Sequence, residues 1–264
     1  MLIYPEIDPV AIDLGFAQVH WYGLMYLFGF LGAWWLGNYR AKQSGSGWSK
    51  QQVSDVIFYG ALGVILGGRI GYILFYNFDK FIENPLMIIR IWEGGMSFHG
   101  GMLGVFLALY LFGRKTGKTF YQMSDFIAPM VPIGLGFGRL GNFINKELWG
   151  RPVDSAIPWA IDYGDHIARH PSSLYQALTE GVLLFIILFV ISNKPKPTMA
   201  VSGVFMMGYG SFRFITEFFR IPDAHLGFVM FDWMTKGQQL SIPMILFGLG
   251  IFVWAYRKQK ADTV

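Results

Sequence analysis

The stretch SSLYQALTEGVLLFIILFVIS, residues 172–192, decides the class of fold. It has one charged residue, Glu180, and it is long enough to cross a bilayer, since a spanning helix needs about 20 mostly apolar residues. Six other segments have the same character: residues 19–38, 53–75, 97–113, 122–144, 200–219 and 239–256. We therefore predict an all-α integral membrane protein, a bundle of seven transmembrane helices that forms a single domain over residues 1–264.

The composition of the whole chain agrees with a membrane protein. Hydrophobic residues make up 53% of the sequence and charged residues 14%, whereas roughly a quarter of the residues of a soluble protein are charged. The net charge of +4 comes from basic residues in brief loops, with no basic stripe, so we expect no nucleic-acid partner. The chain has no cysteine, which excludes a disulfide, a thiolate metal site and a cysteine nucleophile.

Lysine and arginine in the loops between these segments predict the orientation. The loops 39–52, 114–121 and 193–199 and the tail 257–264 together carry eleven basic residues and one acid, and the opposite side carries seven basic residues and twelve acids. Cytoplasmic loops are the ones enriched in lysine and arginine. Seven spans then put the N-terminus on the periplasmic side of the inner membrane and the C-terminus in the cytoplasm.

The longer connections, residues 76–96, 145–171 and 220–238, all fall on the predicted periplasmic side. The cytoplasmic loops are short tethers. We therefore expect the chemistry to take place near the periplasmic face, with residues 145–171 forming a small cap there.

Charged side chains inside the predicted spans need an explanation, because a charge at mid-membrane costs at least about 2.5–3.5 kcal/mol. Asp55 and Asp125 lie near predicted cytoplasmic ends, where headgroups can solvate them. Arg69, in the run GGRIGY, is suspected to face a cavity. Arg213 and Glu217 are four residues apart and so share a helix face, either as an internal salt bridge or as an arginine oriented toward an anionic headgroup.

The strongest local pattern is GRLGNFINKELWG, residues 138–150. Pro129 and Pro132 precede it, so the helix that carries it should bend or break, and irregular backbone at membrane depth is tolerated where it lines a cavity. Arg139 and Asn142 share a helix face and offer a bidentate cation and an amide, which suit a phosphate oxygen.

Two further polar residues open predicted spans. His99, in GGMSFHGG, is either a packing residue or a base with a near-neutral pKa that could take a thiol proton. Tyr22, in HWYGLMY, is either part of an interfacial aromatic belt or an inward hydrogen-bond donor.

These runs, together with HPSSLYQ and YGSFRFITEFFRIPD, make the chain resemble the prolipoprotein diacylglyceryl transferases. The resemblance covers most of the chain in the family's order. It implies transfer of the sn-1,2-diacylglyceryl group from phosphatidylglycerol to the lipobox cysteine of a prolipoprotein signal peptide, with release of sn-glycerol 1-phosphate. That reaction is the first step of bacterial lipoprotein maturation, and it needs no cofactor and no metal.

The resemblance also implies roles for particular residues. Arg139 would bind the phosphatidylglycerol headgroup, and Arg213 would be a second essential arginine oriented by Glu217. We call residues 138–150 the signature. The remaining implied site residues are Asn142 and Glu147, which would support Arg139; Gly150, which would shape the end of the signature; and Tyr22 and His99, which would line the catalytic cavity. The identity of the base stays open between His99, Tyr22 and the field of the arginines.

Two other functions fit parts of the sequence. A lipid transporter or flippase would use the buried charges to line a path. An intramembrane serine protease would use Ser97 as nucleophile; His99 is too near Ser97 on the same element to serve it, which leaves His166, His170 and His225 as partners.

Overall fold

The computed structural model describes residues 1–16, 18–90, 94–222 and 227–262. These residues form two compact units, one of residues 34–123 and the other of residues 1–33 and 124–264. The structure is mostly helical, and a helix lies in each of the seven apolar segments. The helices are α1 (Trp21–Ala41), α2 (Lys50–Tyr76), α3 (Phe78–Glu83), α4 (Phe98–Thr116), α5 (Phe120–Ile127), α6 (Val131–Ile144), α7 (Ser172–Gln176), α8 (Leu184–Ser192), α9 (Ala200–Thr216) and α10 (Lys236–Asp262).

In the 34–123 unit, α2 and α4 touch backbone to backbone. A Cβ atom on Gly67 would lie 2.3 Å from the carbonyl oxygen of Gly100, and one on Gly63 would lie 2.6 Å from that of Gly104. Small residues four apart permit this close packing in membranes, where helices gain little from the hydrophobic effect. The glycines beside His99 are therefore explained by helix packing.

Local sequence fixes the ends of these two helices. Ser49 and Gln52 form a capping box at the start of α2, and the Ser97 side chain accepts a hydrogen bond from the Gly100 N–H at the start of α4. Gly117 ends α4 in the left-handed conformation that glycine adopts without strain.

The other unit contains the predicted break. Helices α5 and α6 meet at a bend of 51°, three residues apart, with Pro132 in the first turn of α6. Proline is accepted there because its missing N–H would have had no helical partner. The helix that runs from Ser172 to Ser192 is also irregular, since its middle, Ala177–Leu183, is a π turn between α7 and α8.

Asp125 explains where α9 begins. Its carboxylate accepts hydrogen bonds from the backbone N–H groups of Met199 and Ser202, the latter at 2.8 Å, and from the Ser202 hydroxyl at 2.6 Å. A helix N-terminus carries unsatisfied N–H groups and partial positive charge, and both favour a carboxylate. This residue, which sequence alone placed in the headgroup layer, is a helix cap supplied by another helix.

The described residues of this unit also form three two-stranded sheets. Strand β1 (Leu2–Ile3) pairs in parallel with β4 (Ile161–Asp162), β2 (Val10–Asp13) pairs with β3 (Gln18–His20), and β5 (Phe228–Met230) pairs with β6 (Met234–Thr235). Tyr4 follows β1 and donates from its hydroxyl to the backbone carbonyls of Phe143 and Ile144, each at 3.0 Å. Residues 145–171 are thus built partly on the N-terminal segment.

Among the described residues, three helices are long and apolar enough to cross a membrane: Lys50–Tyr76, Ser172–Ser192 and Lys236–Ala261. The bent pair of α5 and α6 is a fourth if it counts as one span. An all-α integral membrane protein is consistent with these helices. The count of seven spans, their orientation and the single domain stay predictions.

Candidate active site

The centre of the candidate site is an ion pair between α6 and the π turn. Nε and Nη2 of Arg139 donate to Oε2 of Glu180 at 3.3 and 3.2 Å. Glu180 is completely buried, whereas the Arg139 side chain keeps 18% of its surface exposed. The carboxylate is thus fixed in the interior, and the guanidinium retains an open side.

Arg213 on α9 reaches the same carboxylate. Its Nη1 donates to the side-chain oxygen of Gln176 at 3.1 Å and lies 3.8 Å from Oε1 of Glu180. Its Nη2 lies 2.6 Å from Oε1 of Glu217, one helical turn further on. The i, i+4 pair expected from the sequence is present, and Arg213, 17% exposed, is open on one side as Arg139 is.

Glu217 is itself buried and fully engaged. Besides Arg213, it accepts from Nη1 of Arg220 at 3.0 Å and from the Thr235 hydroxyl at 2.7 Å. The buried charges therefore alternate along a chain, listed in order as Arg139, Glu180, Arg213, Glu217 and Arg220. Three cations and two anions leave one excess positive charge, a setting that favours an anionic ligand.

The signature loop adds polar groups beside Arg139. Nη1 of Arg139 lies 3.5 Å from the side-chain oxygen of Asn142, and the Asn142 amide donates to Glu147 at 2.7 Å. Glu147 returns toward α6 because Lys146 and Leu148, on either side of it, have positive φ angles of 54° and 56°. Residues other than glycine are strained in that region, at a cost on the order of 1–3 kcal/mol each, and such strain concentrates at functional sites.

Gly150 ends the signature against backbone. A Cβ atom there would lie 1.9 Å from the carbonyl oxygen of His170, and the residue also forms a β-bridge with Arg220. The neighbouring Arg151 N–H donates to the Phe219 carbonyl at 2.9 Å. The C-terminal end of the signature is therefore hydrogen-bonded to the residues that follow α9, the helix that carries Arg213.

Tyr22 lies against the same helix. A Cβ atom on Gly141 would be 2.8 Å from its ring, and its phenol is within electrostatic reach of Arg139 and Glu147. Tyr209 on α9 provides a second phenol, within hydrogen-bonding distance of Arg139. Of the residues predicted from sequence, the structure brings together seven in this unit: Tyr22, Arg139, Asn142, Glu147, Gly150, Arg213 and Glu217.

His99, the remaining predicted residue, belongs to the 34–123 unit, where it is exposed in the first turn of α4. Ser97 precedes it as the buried helix cap already described. His166 and His170 lie in the other unit, and His225 lies outside the described residues.

Several residues of the cluster received no role in the transferase prediction. Glu180 is conspicuous as the one charge in a 21-residue apolar run, and from sequence it was assigned only to the path of the transporter alternative. Gln176, one turn before it, carried a weaker version of the same signal. Thr235 could not have been found, because it is far along the chain from Glu217 in a segment with no pattern.

The segment of residues 145–171 packs around aromatic rings. Tyr163 is buried beside Trp149, stacked at 5.5 Å, and beside Tyr4. Burial, with a smaller contribution from Tyr4, raises the pKa of Tyr163 to about 12, so its hydroxyl stays protonated. The segment is held as a small folded unit next to the signature loop.

Comparisons with known proteins agree with this geometry. Residues 9–254 match the family described as prolipoprotein diacylglyceryl transferase. A phosphatidylglycerol–prolipoprotein diacylglyceryl transferase of Acinetobacter baumannii (strain ACICU) is 60% identical over 99% of this chain and 97% of its own length. Proteins of the same name from Pseudomonas paraeruginosa (strain DSM 24068 / PA7) and Pseudomonas aeruginosa (strain LESB58) are each 56% identical over 99% of this chain and 98% of their own. The chain belongs to the prolipoprotein diacylglyceryl transferase family.

Proposed function

We propose that this protein transfers the sn-1,2-diacylglyceryl group of phosphatidylglycerol to the lipobox cysteine thiol of a prolipoprotein. The observation that carries the proposal is the pair of partly exposed arginines, Arg139 and Arg213, that face one buried carboxylate in a chain of ion pairs with three cations and two anions. Such a pair suits an enzyme that breaks a bond to a phosphate group.

The charge balance of the reaction explains the need for two arginines. The sulfur of the thiolate attacks the glyceryl carbon, a C–S bond forms, and the C–O bond to phosphate breaks. The phosphodiester carries one negative charge, and the departing glycerol 1-phosphate carries two, so the charge of the thiolate ends on the leaving group. Arginines aimed at the phosphate therefore bind the transition state more tightly than the ground state.

The thiol proton has to leave before or during the attack, because a free thiol with a pKa of about 8.5 is mostly protonated at neutral pH. Our proposal keeps His99 as the base and Tyr22 as an alternative proton relay. The field of Arg139 and Arg213 would assist either route by favouring the thiolate. No cofactor and no metal enters any of these steps.

The proposal includes the setting of the reaction. The proposed topology has seven spans, with the N-terminus outside and the C-terminus inside. It is supported by the lysine and arginine residues that gather in alternate loops along the sequence. The signature loop and residues 145–171 then face the periplasm, where the substrate cysteine is presented at the surface of the inner membrane. Asn142, Glu147, Gly150 and Glu217 hold the headgroup site in shape.

Neither alternative function is favoured by the family to which the chain belongs. A flippase would need the same charges but would leave its lipid intact. The serine protease would need a free Ser97, and that hydroxyl serves as a buried helix cap.

A reconstituted reaction tests the proposal. Purified protein, phosphatidylglycerol and a lipobox peptide are combined in detergent without a membrane gradient, and the thioether peptide and glycerol 1-phosphate are measured by mass. Wild type should form both products, and Arg139→Ala and Arg213→Ala should form neither while they remain folded. The exposed Arg114→Ala is the matched control and should be active. Absence of thioether with wild type would overturn the proposal.

A further inference from the structure

We propose that Glu180 is a positioning residue that sets the spacing of Arg139 and Arg213. The inference rests on the proposed function, because it assigns these arginines to the phosphate of the lipid. Glu180 touches no substrate in this proposal. It acts through the two guanidinium groups, because its one carboxylate lies near both of them.

Each oxygen of Glu180 serves a different arginine. Oε2 accepts from Nε and Nη2 of Arg139, and Oε1 lies 3.8 Å from Nη1 of Arg213. The Thr216 hydroxyl shares its proton between Oε1 at 3.4 Å and the Arg213 carbonyl oxygen at 3.3 Å, and this contact helps to limit rotation of the carboxylate. Since the two oxygens of a carboxylate are a fixed distance apart, this one side chain links the positions of the two guanidinium groups.

The backbone is arranged to bring Glu180 to that place. Gly181 follows it, and a Cβ atom there would lie 2.6 Å from the Cα of Gly136, one turn before Arg139. The two helices therefore touch at a pair of glycines directly beside the ion pair. The π turn, Ala177–Leu183, presents Glu180 at this contact, and π turns occur frequently at functional sites.

Arg213 does not need Glu180 to neutralise its charge. That arginine already has Glu217 at 2.6 Å and the Gln176 oxygen at 3.1 Å. A buried carboxylate also competes with the phosphate of the substrate, so its presence weakens binding of an anion in the ground state. What the carboxylate supplies is alignment, and a displacement of about 1 Å in a catalytic group can cost a hundredfold in rate.

This reasoning predicts opposite changes in two measured quantities. Glu180→Gln keeps the shape of the side chain but removes its charge. Turnover should fall by about tenfold to a hundredfold, because the arginines lose their alignment. Inhibition by glycerol 1-phosphate should strengthen by about threefold, because a competing negative charge is gone.

Glu180→Asp separates charge from reach. The shorter side chain keeps the negative charge but spans only one of the two arginines. Inhibition by glycerol 1-phosphate should therefore return to the wild-type level, and turnover should stay about tenfold low. Full recovery of turnover in this variant would overturn the proposal, because charge alone would then suffice.

The experiment uses the full chain in detergent with phosphatidylglycerol, a lipobox peptide and added glycerol 1-phosphate, and thermal unfolding checks that each variant is folded. Asp165→Asn, which removes a carboxylate paired with Arg169 in the 145–171 segment, is the control and should change neither quantity. Unchanged turnover in Glu180→Gln, or weaker inhibition together with lower turnover, would overturn the proposal.

A second variant keeps the test decisive if Glu180→Gln does not fold. Thr216→Val removes the hydroxyl that limits rotation of the Glu180 carboxylate and leaves every charge in place. Turnover should fall severalfold with inhibition by glycerol 1-phosphate unchanged, and full turnover would count against the proposal. Wild type that forms no thioether would contradict the proposed function itself, which is a separate outcome.

Discussion

Two arginines in this molecule stand in nearly the same local sequence and do different things. Arg69 lies in Gly-Arg-Ile-Gly, residues 68–71, and Arg139 lies in Gly-Arg-Leu-Gly, residues 138–141. Both are in apolar helices, α2 and α6. The difference between them is in their partners, and it separates a buried charge with a structural role from one that we propose binds a ligand.

Arg69 is saturated by backbone. All three of its nitrogens donate to carbonyl oxygens of one segment: those of Met87, Arg90, Gly94 and Gly95. Only 3% of the residue is exposed. An arginine has five N–H donors, and here none remains for a ligand. The charge holds the backbone of Met87, Arg90, Gly94 and Gly95 against α2.

Arg139 donates to side chains instead, and its main partner is a carboxylate that it shares with Arg213. Its exposed fraction of 18% gives a ligand access to the guanidinium. A buried arginine therefore points to function when its partners are ionisable and its surface is incompletely covered. Partners that are backbone carbonyls point to architecture.

Of the changes that test this contrast, Arg139→Lys should have the largest effect, a loss of turnover. Lysine keeps the charge but loses the bidentate geometry, so turnover should fall by about a hundredfold or more. The melting temperature should change little. Turnover is measured as thioether peptide formed per folded protein, and turnover near the wild-type value would mean that charge alone is used here.

Arg69→Lys should show the reverse. A lysine has three donors and cannot satisfy the carbonyl oxygens of Met87, Arg90, Gly94 and Gly95, so the folded state should lose about 3 kcal/mol. Thermal unfolding measures this loss, and turnover per folded molecule should stay within a few-fold of wild type. A large loss of turnover at unchanged stability would break the comparison.

The glycines of the two tetrapeptides give a smaller effect. Gly71→Ala would place a Cβ atom 2.7 Å from the Cα of Gly100, so α2 and α4 must separate, at a cost of about 1–3 kcal/mol. Gly138→Ala, at the first glycine of the other tetrapeptide, is the control in α6. Apart from its chain neighbours and the adjoining backbone of α6, no atom of the described residues lies within 4 Å of the added Cβ atom, and the change should be neutral or slightly stabilising. Equal melting temperatures for the two variants would contradict the close packing of α2 on α4.

The smallest effect concerns His170, whose carbonyl faces Gly150. Burial lowers the pKa of its imidazole, which also packs edge-on against Phe219 at 5.1 Å. Because the unfolded chain takes up this proton more readily, protonation of His170 favours unfolding. Its effect on the free energy of unfolding is absent above the ordinary histidine pKa of about 6.5, and stability falls as the pH drops from there toward the lower pKa of the folded state. Melting temperatures at pH 7.5 and 5.5 measure it, and His170→Asn should reduce the difference.

The sequence allowed the class of fold to be predicted, and seven of its eight candidate site residues lie in one unit of the structure. Long apolar runs predict helices because a span must satisfy its own backbone, and the expected break before the signature is present between α5 and α6. The pair of Arg213 and Glu217 followed from helix periodicity alone. These predictions share one property, because each depends on residues that are close together in the sequence.

What escaped prediction depends on contacts between distant segments. Asp125 caps α9 from 74 residues away, and Thr235 reaches Glu217 only because β6 folds back beside the end of α9. The role of Arg69 was also hidden, since backbone carbonyls leave no mark on a sequence. The identical pattern of two glycines around an arginine could not reveal which of the two faces a ligand.

The pairing of β1 with β4 has a consequence for biosynthesis. Tyr4 is synthesised long before the carbonyls that its hydroxyl reaches, which lie 139 and 140 residues later in the chain. The pairing of β1 with β4 must likewise wait until residues 161 and 162 have been made. A nascent chain stalled before residue 161 would therefore hold its early helices but lack the β1–β4 pair.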